Sequence, residues 1–97
     1  MRVNYRLLPK AESDYFSIYA YTYENFGEQQ AEKYTRGLLD SFTLITEHPH
    51  IGRSINDIRT GYFRHAYEGH VIYYKLKQNE VLIIRVLANR QDHQKYI

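Results

Sequence analysis

Two helical segments joined at a single glycine constrain the fold of this chain more than any other feature. The apolar residues that recur at helical spacing between residues 28 and 47 are Ala31, Tyr34, Leu38, Phe42 and Ile45. A second helical pattern covers residues 11–26, and Gly27 is a natural stop between the two. Because the connection is so short, we expect an antiparallel helix hairpin that buries one stripe against another element.

The first helix carries more aromatic surface than one sheet can cover. Its predicted core-facing residues are Ala11, Tyr15, Ile18, Thr22 and Phe26. Phe16, Tyr19 and Tyr23 broaden this stripe to an arc of roughly 160°. Either these rings lie along the surface with their hydroxyls in water, or a partner chain packs on them.

Four segments have strand character. Residues 2–7, 62–67, 71–76 and 81–88 alternate or carry apolar side chains, and residues 68–69 and 77–80 are typical of hairpin turns. The segment VLIIRVLA is apolar on both faces, which favours a central position in the sheet. The tail, residues 89–97, is expected to form a last helical turn. The sequence therefore predicts an α+β fold, β-α-α-β-β-β, with the hairpin packed on a small, mostly antiparallel sheet.

Length and composition limit the possible function classes. A chain of 97 residues without internal repeats or linkers is expected to form one domain, residues 1–97. It has no Cys, which excludes disulfides, thiolate zinc sites and thiol nucleophiles. It has no apolar run long enough to span a membrane and its N-terminus is charged, so we expect a cytoplasmic protein without a membrane partner. His48 and His50 have neither companions at helical spacing nor a carboxylate cluster nearby, so we expect no metal site.

The basic residues concentrate in the predicted sheet. Residues 1–52 have 5 basic and 7 acidic side chains, net −2, whereas residues 53–97 have 8 and 4, net +4. The arginines of this half are Arg53, Arg59, Arg64, Arg85 and Arg90. Arg85 interrupts a strand that is otherwise apolar, and a buried guanidinium must be paired or line a cleft. It is either a clamp for phosphate or carboxylate, or one half of an internal salt bridge, for instance with Asp92 or Asp57.

Histidine, tyrosine and arginine together could also support metal-free RNA cleavage. That reaction needs a base, a cation beside the phosphorane and an acid for the leaving oxygen. His65 and His70 could serve as acid or base, with Arg64 and Arg85 as the cations. The spacing of these residues does not select this chemistry over structural roles.

A series of short motifs resembles one known family. In chain order they are A-E-S-D at 11–14, I-x-x-Y-x-x-E-N-F-G at 18–27, Q-A-x-x-Y at 30–34, H-P-H-I-G-R at 48–53, R-T-G-Y-F-R at 59–64, G-H-V-I-Y-Y at 69–74 and R-V-L-A-N-R-Q-D at 85–92. Together they resemble the ParE toxins of the RelE/ParE superfamily of bacterial toxin-antitoxin modules. One position departs from the family pattern, since Ala88 stands after R-V-L where the family often has His.

The resemblance implies a toxin that inhibits DNA gyrase by stabilising its cleaved DNA complex. It also implies a ParD-like antitoxin that wraps along the hairpin and sheet, for which the expected contacts are Phe16, Tyr19 and Tyr23. The residues expected to form a sheet cleft that contacts target or antitoxin are Arg59, Arg64, Arg85 and Arg90. No cofactor and no catalysis are expected, and nucleic acid is met only through the target or the antitoxin complex.

The RelE branch of the same superfamily provides the alternative function. Its members have the same fold and cut messenger RNA on the ribosome. The residues that would serve such a nuclease here are His65, Arg64, Arg85, Arg90 and Tyr96. The C-terminal segment N-R-Q-D-H-Q-K-Y lacks the dense lysine and arginine set of that branch, which favours the gyrase-directed function.

Overall fold

The computed structural model describes residues 4–97. Its elements in chain order are β1 (Asn4–Leu7), α1 (Pro9–Phe26), α2 (Glu28–Glu47), β2 (Arg53–Ser54), β3 (Tyr62–Tyr67), β4 (His70–Lys77), β5 (Glu80–Ala88) and α3 (His93–Tyr96). This order confirms the predicted α+β fold and the final helical turn. The predicted strand residues Arg2 and Val3 lie outside the described residues.

The strands form one mixed sheet in the order β1-β5-β4-β3-β2. β1 runs parallel to β5, and the other neighbouring strands are antiparallel. β5 therefore lies inside the sheet, between β1 and β4, as its apolar sequence predicts. β1 pairs only with residues 80–83 of β5, so the second half of β5 extends beyond the end of its neighbour.

The helix hairpin covers one face of the sheet, which we call the helix face. The fully or nearly buried residues of this core are Ala11, Ile18, Leu38, Phe42, Ile45, Ile72, Tyr74, Val81, Ile83 and Val86. Three of the five stripe residues predicted for α2 belong to it. α1 begins at Pro9, two residues before the predicted start, because proline suits the first helical turn, where its missing N–H costs no hydrogen bond.

A second, smaller core lies on the opposite face, which we call the far face. Its buried residues are Ile55, Val71, Tyr73 and Leu87. Tyr62, Ile84 and Ile97 pack against this cluster, so the segment containing α3 covers part of the far face. Both faces of β4 and β5 are therefore buried, although only the helix face contacts the hairpin.

A β-bulge in β5 sets the direction of its arginine. Tyr73 of β4 pairs with Arg85, whereas Tyr74 pairs with Ile83, so Ile84 is the extra residue. Ile83 and Val86 belong to the helix-face core, and Ile84 belongs to the far-face cluster. The bulge thus places Ile84 and Arg85 next to each other, between Ile83 and Val86, which both point into the helix-face core.

Two local predictions are wrong. No strand was predicted between residues 48 and 61, but Arg53 and Ser54 pair with Arg64 and Phe63 as edge strand β2. Phe26 was expected on the core side of α1, yet 67% of its surface is exposed. It lies at the last position of α1, immediately before the turn at Gly27.

Candidate functional site

Arg85 forms a two-point ion pair with Asp14 of α1. Its Nε donates to Asp14 Oδ2 and its Nη2 to Asp14 Oδ1, each at 2.8 Å. Both side chains are about 15% exposed, at 14% and 15%. These hydrogen bonds raise the pKa of Arg85 above its usual value, with desolvation opposing them. The predicted internal salt bridge exists, but its partner is Asp14 and neither Asp92 nor Asp57.

Asp14 also closes the exposed edge of β5. Its Oδ2 accepts the backbone N–H of Val86 at 2.9 Å, at a point that β1 does not reach. One carboxylate therefore satisfies a strand amide and a guanidinium, and it joins α1 to the bulge. Arg85 Nη1 further donates to the carbonyl of Tyr96 at 3.2 Å, and its guanidinium lies 5.5 Å from the Tyr96 ring centroid. Arg85 is thereby held between α1 and α3.

Strand register brings three arginines into one row across the sheet. Arg53 pairs with Arg64, Arg64 with Tyr73, and Tyr73 with Arg85. Directly opposed residues share a face, and Tyr73 belongs to the far-face cluster. The Arg64 guanidinium lies 6.0 Å from the Tyr73 ring centroid, within cation-π range. The structure thus brings together Arg64 and Arg85, two of the four predicted cleft residues, and adds Arg53.

The other two predicted arginines lie elsewhere. Arg59 Nε donates to the backbone oxygen of Ile97 at 3.0 Å, which ties the loop before β3 to the end of the chain. Arg90 is exposed after β5 and lines a cleft on the helix side together with Asp14 and His70. The four arginines are therefore distributed over several places, and they do not form one cleft.

The suspected nuclease residues lie on both faces of the sheet: Arg64, Arg85 and Tyr96 are on the far-face side, whereas His65 and Arg90 are on the helix side. His65 lies on the same face of β3 as Phe63 and Tyr67, which pack on the helix-face core, whereas Arg64 contacts Tyr73 on the far face. Burial lowers the pKa of His65. Tyr96 is 40% exposed, and its ring lies beside the ion-paired Arg85.

A hydrogen-bonded histidine fastens α3 to the far face. His93 Nε2 lies 2.7 Å from the Ala88 carbonyl oxygen, and Nδ1 lies 2.5 Å from the Tyr73 hydroxyl. A carbonyl only accepts, so Nε2 carries the proton in the neutral ring and Tyr73 donates to Nδ1. Beside this contact, a polar cleft of about 410 Å³ is lined by Arg64, Asp92 and His93, among others.

A groove runs along α1 on the helix side of the sheet. It consists of two adjoining clefts of about 620 and 540 Å³, which share Tyr21, Thr22, Gly69 and His70. The Tyr34 hydroxyl lies 2.7 Å from His70 Nδ1 between the two clefts. Burial lowers the pKa of His70, and the nearby Asp14 partly opposes this shift. Because four residues line both clefts, the groove is continuous.

The exposed aromatic rings of α1 lie on two flanks. Phe16 and Tyr23 are 62% and 50% exposed, and Tyr19 stacks on Tyr23 at a centroid distance of 6.2 Å. We call these three residues the aromatic shoulder. Tyr21, 55% exposed, and Phe26 line the groove instead. The structure thus confirms the surplus of exposed aromatic surface on α1 and extends it to a flank that the sequence analysis assigned to no partner.

Several important residues escaped the sequence analysis. Asp14 was considered only as part of the A-E-S-D motif, and Tyr34 only as a residue of the apolar stripe of α2. Tyr73 and His93 carried no signal of their own, because their hydrogen bond depends on how α3 folds back over the sheet. Only the register between β2 and β3 aligns Arg53 with Arg64.

The described residues were also compared with the requirements of a metal site and of a membrane-spanning helix. Across residues 4–97, no three His, Cys, Asp or Glu side chains lie close enough together to hold a metal ion. Within the same described part of the chain, no helix is both long and apolar enough to cross a lipid bilayer.

Comparison with solved structures defines the class of fold. A chain described as "Chromosomal ParDE TA system from P. aeruginosa" superposes with a TM-score of 0.77 at 18% identity, covering 91% of this chain and 96% of that one. A chain of "The structure of YoeB dimer from Staphylococcus aureus" gives a TM-score of 0.61 at 20% identity, covering 92% and 99%. The fold is thus one found among toxin-antitoxin proteins.

Sequence comparison identifies the family. The family described as "ParE toxin of type II toxin-antitoxin system, parDE" matches residues 5–93. "Toxin ParE1" of Caulobacter vibrioides is 39% identical over 83 residues, which cover 86% of this chain and 85% of that protein. "Toxin ParE1" of Mycobacterium tuberculosis is 32% identical over 93 residues, 95% of each. The chain belongs to the ParE toxin family of type II toxin-antitoxin systems.

Proposed function

We propose that this ParE family member acts in the bacterial cytoplasm by binding DNA gyrase and stabilising its cleaved DNA complex. A ParD-like antitoxin that docks on the helix hairpin neutralises it. The observation that carries the binding function is the exposed aromatic surface of α1, which borders a continuous groove. Surfaces of this kind are typical of protein docking sites, in which aromatic residues are enriched and a few residues, Tyr among them, supply most of the binding energy.

The antitoxin assignment is supported by the two flanks of α1. A disordered acidic or amphipathic tail can fold into a groove and cover large areas, and proteolysis can remove it before it folds. The aromatic shoulder, Phe16, Tyr19 and Tyr23, remains our proposed antitoxin contact. The groove flank, with Tyr21 and Phe26, is a second contact of the same chemical character. The solved ParDE system to which this fold is similar supports a ParD-type partner.

A role without catalysis is supported by the state of Arg85. Both of its carboxylate contacts go to Asp14 in the folded chain, so this guanidinium is already neutralised. His65 lies on the face opposite to Arg64, which separates the suspected acid or base from the suspected cation. We therefore assign Arg85 a structural role and propose Arg59, Arg64 and Arg90 as contacts of the target or the antitoxin.

The test is a gyrase cleavage assay with purified, antitoxin-free protein. Supercoiled plasmid, gyrase and ATP are incubated with the protein, denatured with detergent and digested with protease. Linear DNA that appears only when both gyrase and the protein are present is the expected result. Reactions without gyrase, and reactions with the antitoxin added first, are the controls.

The contrary result is equally specific. If folded protein yields no gyrase-dependent linear DNA but cleaves messenger RNA on ribosomes, gyrase binding is excluded in favour of RelE-type chemistry. Variants His65→Gln, Arg64→Gln and Tyr96→Phe would then identify the reacting groups.

A further inference from the structure

Two arginines oppose each other on the far face without a compensating carboxylate. Arg53 of β2 pairs directly with Arg64 of β3. Within residues 4–97, the side-chain carboxylates that form ion pairs do so with Arg6 and Arg85, so neither member of this pair is ion-paired. Like charges directly opposed across a strand pair are destabilising. An anionic ligand between them would turn this repulsion into attraction.

Aromatic rings hold two cations on this face. The Arg64 guanidinium lies 6.0 Å from the Tyr73 centroid, and Lys75 Nζ lies 5.9 Å from the Tyr62 centroid. Tyr62 pairs with Lys75 and Arg64 pairs with Tyr73, so these four side chains occupy two adjacent rows of β3 and β4. A cation lying on a ring loses less side-chain freedom on binding a ligand than one extended into water.

Arg53, Arg64 and Lys75 therefore form a compact group, which we call the far-face cations. Adjacent strands lie about 5 Å apart, so the three charges come from neighbouring positions on β2, β3 and β4. The group borders the polar cleft of about 410 Å³ that Arg64 lines beside α3. Asp92 lines the same cleft and opposes anion binding there.

We propose that the far-face cations bind the phosphodiester backbone of duplex DNA. Arginine presents a planar fork that matches phosphate oxygens, and lysine adds a mobile point charge. Tyr73 is only 2% exposed, so the ring serves to hold Arg64 and does not stack on bases. The far-face cations thus contact only the phosphodiester backbone of the DNA and do not distinguish base sequences.

The choice of DNA over RNA rests on the proposed function, since a toxin seated on gyrase with cleaved DNA lies next to the duplex. Direct contact also departs from the expectation that nucleic acid is met only through the target or the antitoxin complex. The far-face cations lie on the sheet surface opposite the helix face, so DNA and a hairpin-bound antitoxin would occupy different faces of the sheet.

The experiment is fluorescence anisotropy with a labelled 20-base-pair DNA duplex across a salt series, without gyrase. Three phosphate contacts give a slope of log K against log salt of about −2.7. Arg53→Gln/Arg64→Gln removes two contacts and reduces this slope to about −0.9, with affinity at 50 mM salt falling about tenfold or more. Lys75→Gln reduces the slope by about 0.9, and Asp92→Asn raises the affinity.

The matched control is Lys33→Gln/Arg36→Gln, which removes two exposed charges from α2. It should retain the parent slope, and thermal unfolding should show that all variants are folded. Equal losses in the two double variants, or a parent slope near zero, overturn the proposal. Tighter binding to an RNA duplex of the same sequence overturns the assignment to DNA. Because this experiment contains no gyrase, a negative result in the gyrase cleavage assay does not change its interpretation.

Discussion

Asp14 and Arg85, 71 residues apart in the chain, share two hydrogen bonds of 2.8 Å at the point where β1 ends. The same carboxylate accepts the amide of Val86, so it takes the place of the strand that β5 lacks there. A surface salt bridge contributes little to stability, but this pair is largely covered and links three elements. We conclude that Arg85, within the apolar strand β5, has a structural role and connects β5 to α1 and α3.

Replacing Asp14 with Ala should therefore destabilise the protein strongly. It leaves a mostly covered guanidinium and a strand amide without an acceptor, a change that typically costs about 3 kcal/mol or more. Urea unfolding followed by circular dichroism measures the loss. A double-mutant cycle with Arg85→Ala should show that Asp14→Ala costs much less once the guanidinium is gone.

The exposed pair Arg6 and Glu80 provides the control for this cycle. Its side chains are 58% and 37% exposed, and their closest contact is 3.2 Å. Glu80→Ala should change the unfolding midpoint only slightly, since solvent screens the pair. Similar losses for Asp14→Ala and Glu80→Ala would contradict the structural role of the covered pair.

Gly37 should not tolerate a side chain, although it lies inside α2. Alanine in a helix interior is usually favoured over glycine by about 1 kcal/mol. Here a Cβ would collide with the ring and hydroxyl of Tyr67, whose hydroxyl donates to the Tyr34 carbonyl at 2.9 Å. Gly37→Ala should therefore lower the free energy of unfolding, by about 1–3 kcal/mol for overpacking of this kind.

This explanation can be tested by making Gly37→Ala in a protein that also carries a substitution of Tyr67. In Tyr67→Leu the collision is relieved, so adding Gly37→Ala should be neutral or stabilising. Thermal unfolding of the four proteins measures the effect. A loss of equal size in both backgrounds would show that the helix backbone, and not Tyr67, rejects the alanine.

Local patterns explain why so much of the fold was predictable. The stripe from Ala31 to Ile45 and the apolar run in β5 depend on neighbouring residues alone, so the helices and central strands could be placed. β2 could not, because two residues carry no periodicity and pair only once β3 is in position. The bulge at Ile84 was hidden for a related reason, since it becomes visible only in the register with β4.

The candidate site was less predictable than the fold because it depends on long-range contacts. The sequence showed that Arg85 needed a partner, but Asp14 lies on another element. The sequence also suggested His65 and Arg64 as acid or base and cation of one candidate nuclease site, whereas alternation along a strand places them on opposite faces. The aromatic arc of α1 was predictable because helical periodicity alone determines it.

Stability should fall as the pH falls below neutrality. Burial lowers the pKa of His65 and of His70 from the usual 6.5. Between the lowered pKa values of the folded state and the pKa of 6.5 of the unfolded state, the unfolded chain therefore binds more protons than the folded one. The contribution of these histidines to stability is fully present above pH 6.5 and is lost as the pH falls through this range. Around His70, Asp14 partly opposes the shift and Tyr34 lies in hydrogen-bond contact.

Urea unfolding at pH 7.5 and pH 5.5 measures this dependence. His65→Gln and His70→Gln should each reduce the difference in unfolding free energy between the two pH values. His48→Gln, on an exposed loop residue, is the matched control and should keep the parental difference. If all three variants behave like the parent, carboxylates and not these histidines cause the acid sensitivity.

The two flanks of α1 should differ in their contribution to antitoxin binding. Tyr23→Ser and Phe16→Ser remove exposed rings from the aromatic shoulder, and each should weaken a ParD-like antitoxin complex about tenfold or more if the ring is a buried anchor. Desolvation and the carboxylates of Glu32 and Glu28 raise the pKa of Tyr19. Isothermal titration calorimetry with the purified antitoxin measures the change.

Tyr21→Ser is the matched variant on the groove flank, with a ring 55% exposed. An antitoxin that lies only across the shoulder should bind this variant like the parent, whereas one that fills the groove should lose affinity for it. Because these rings are exposed, none of the substitutions should shift the thermal unfolding midpoint by more than a few degrees. Unchanged dissociation constants for Phe16→Ser and Tyr23→Ser would show that the shoulder is ordinary surface, and a loss confined to Tyr21→Ser would move the docking site into the groove.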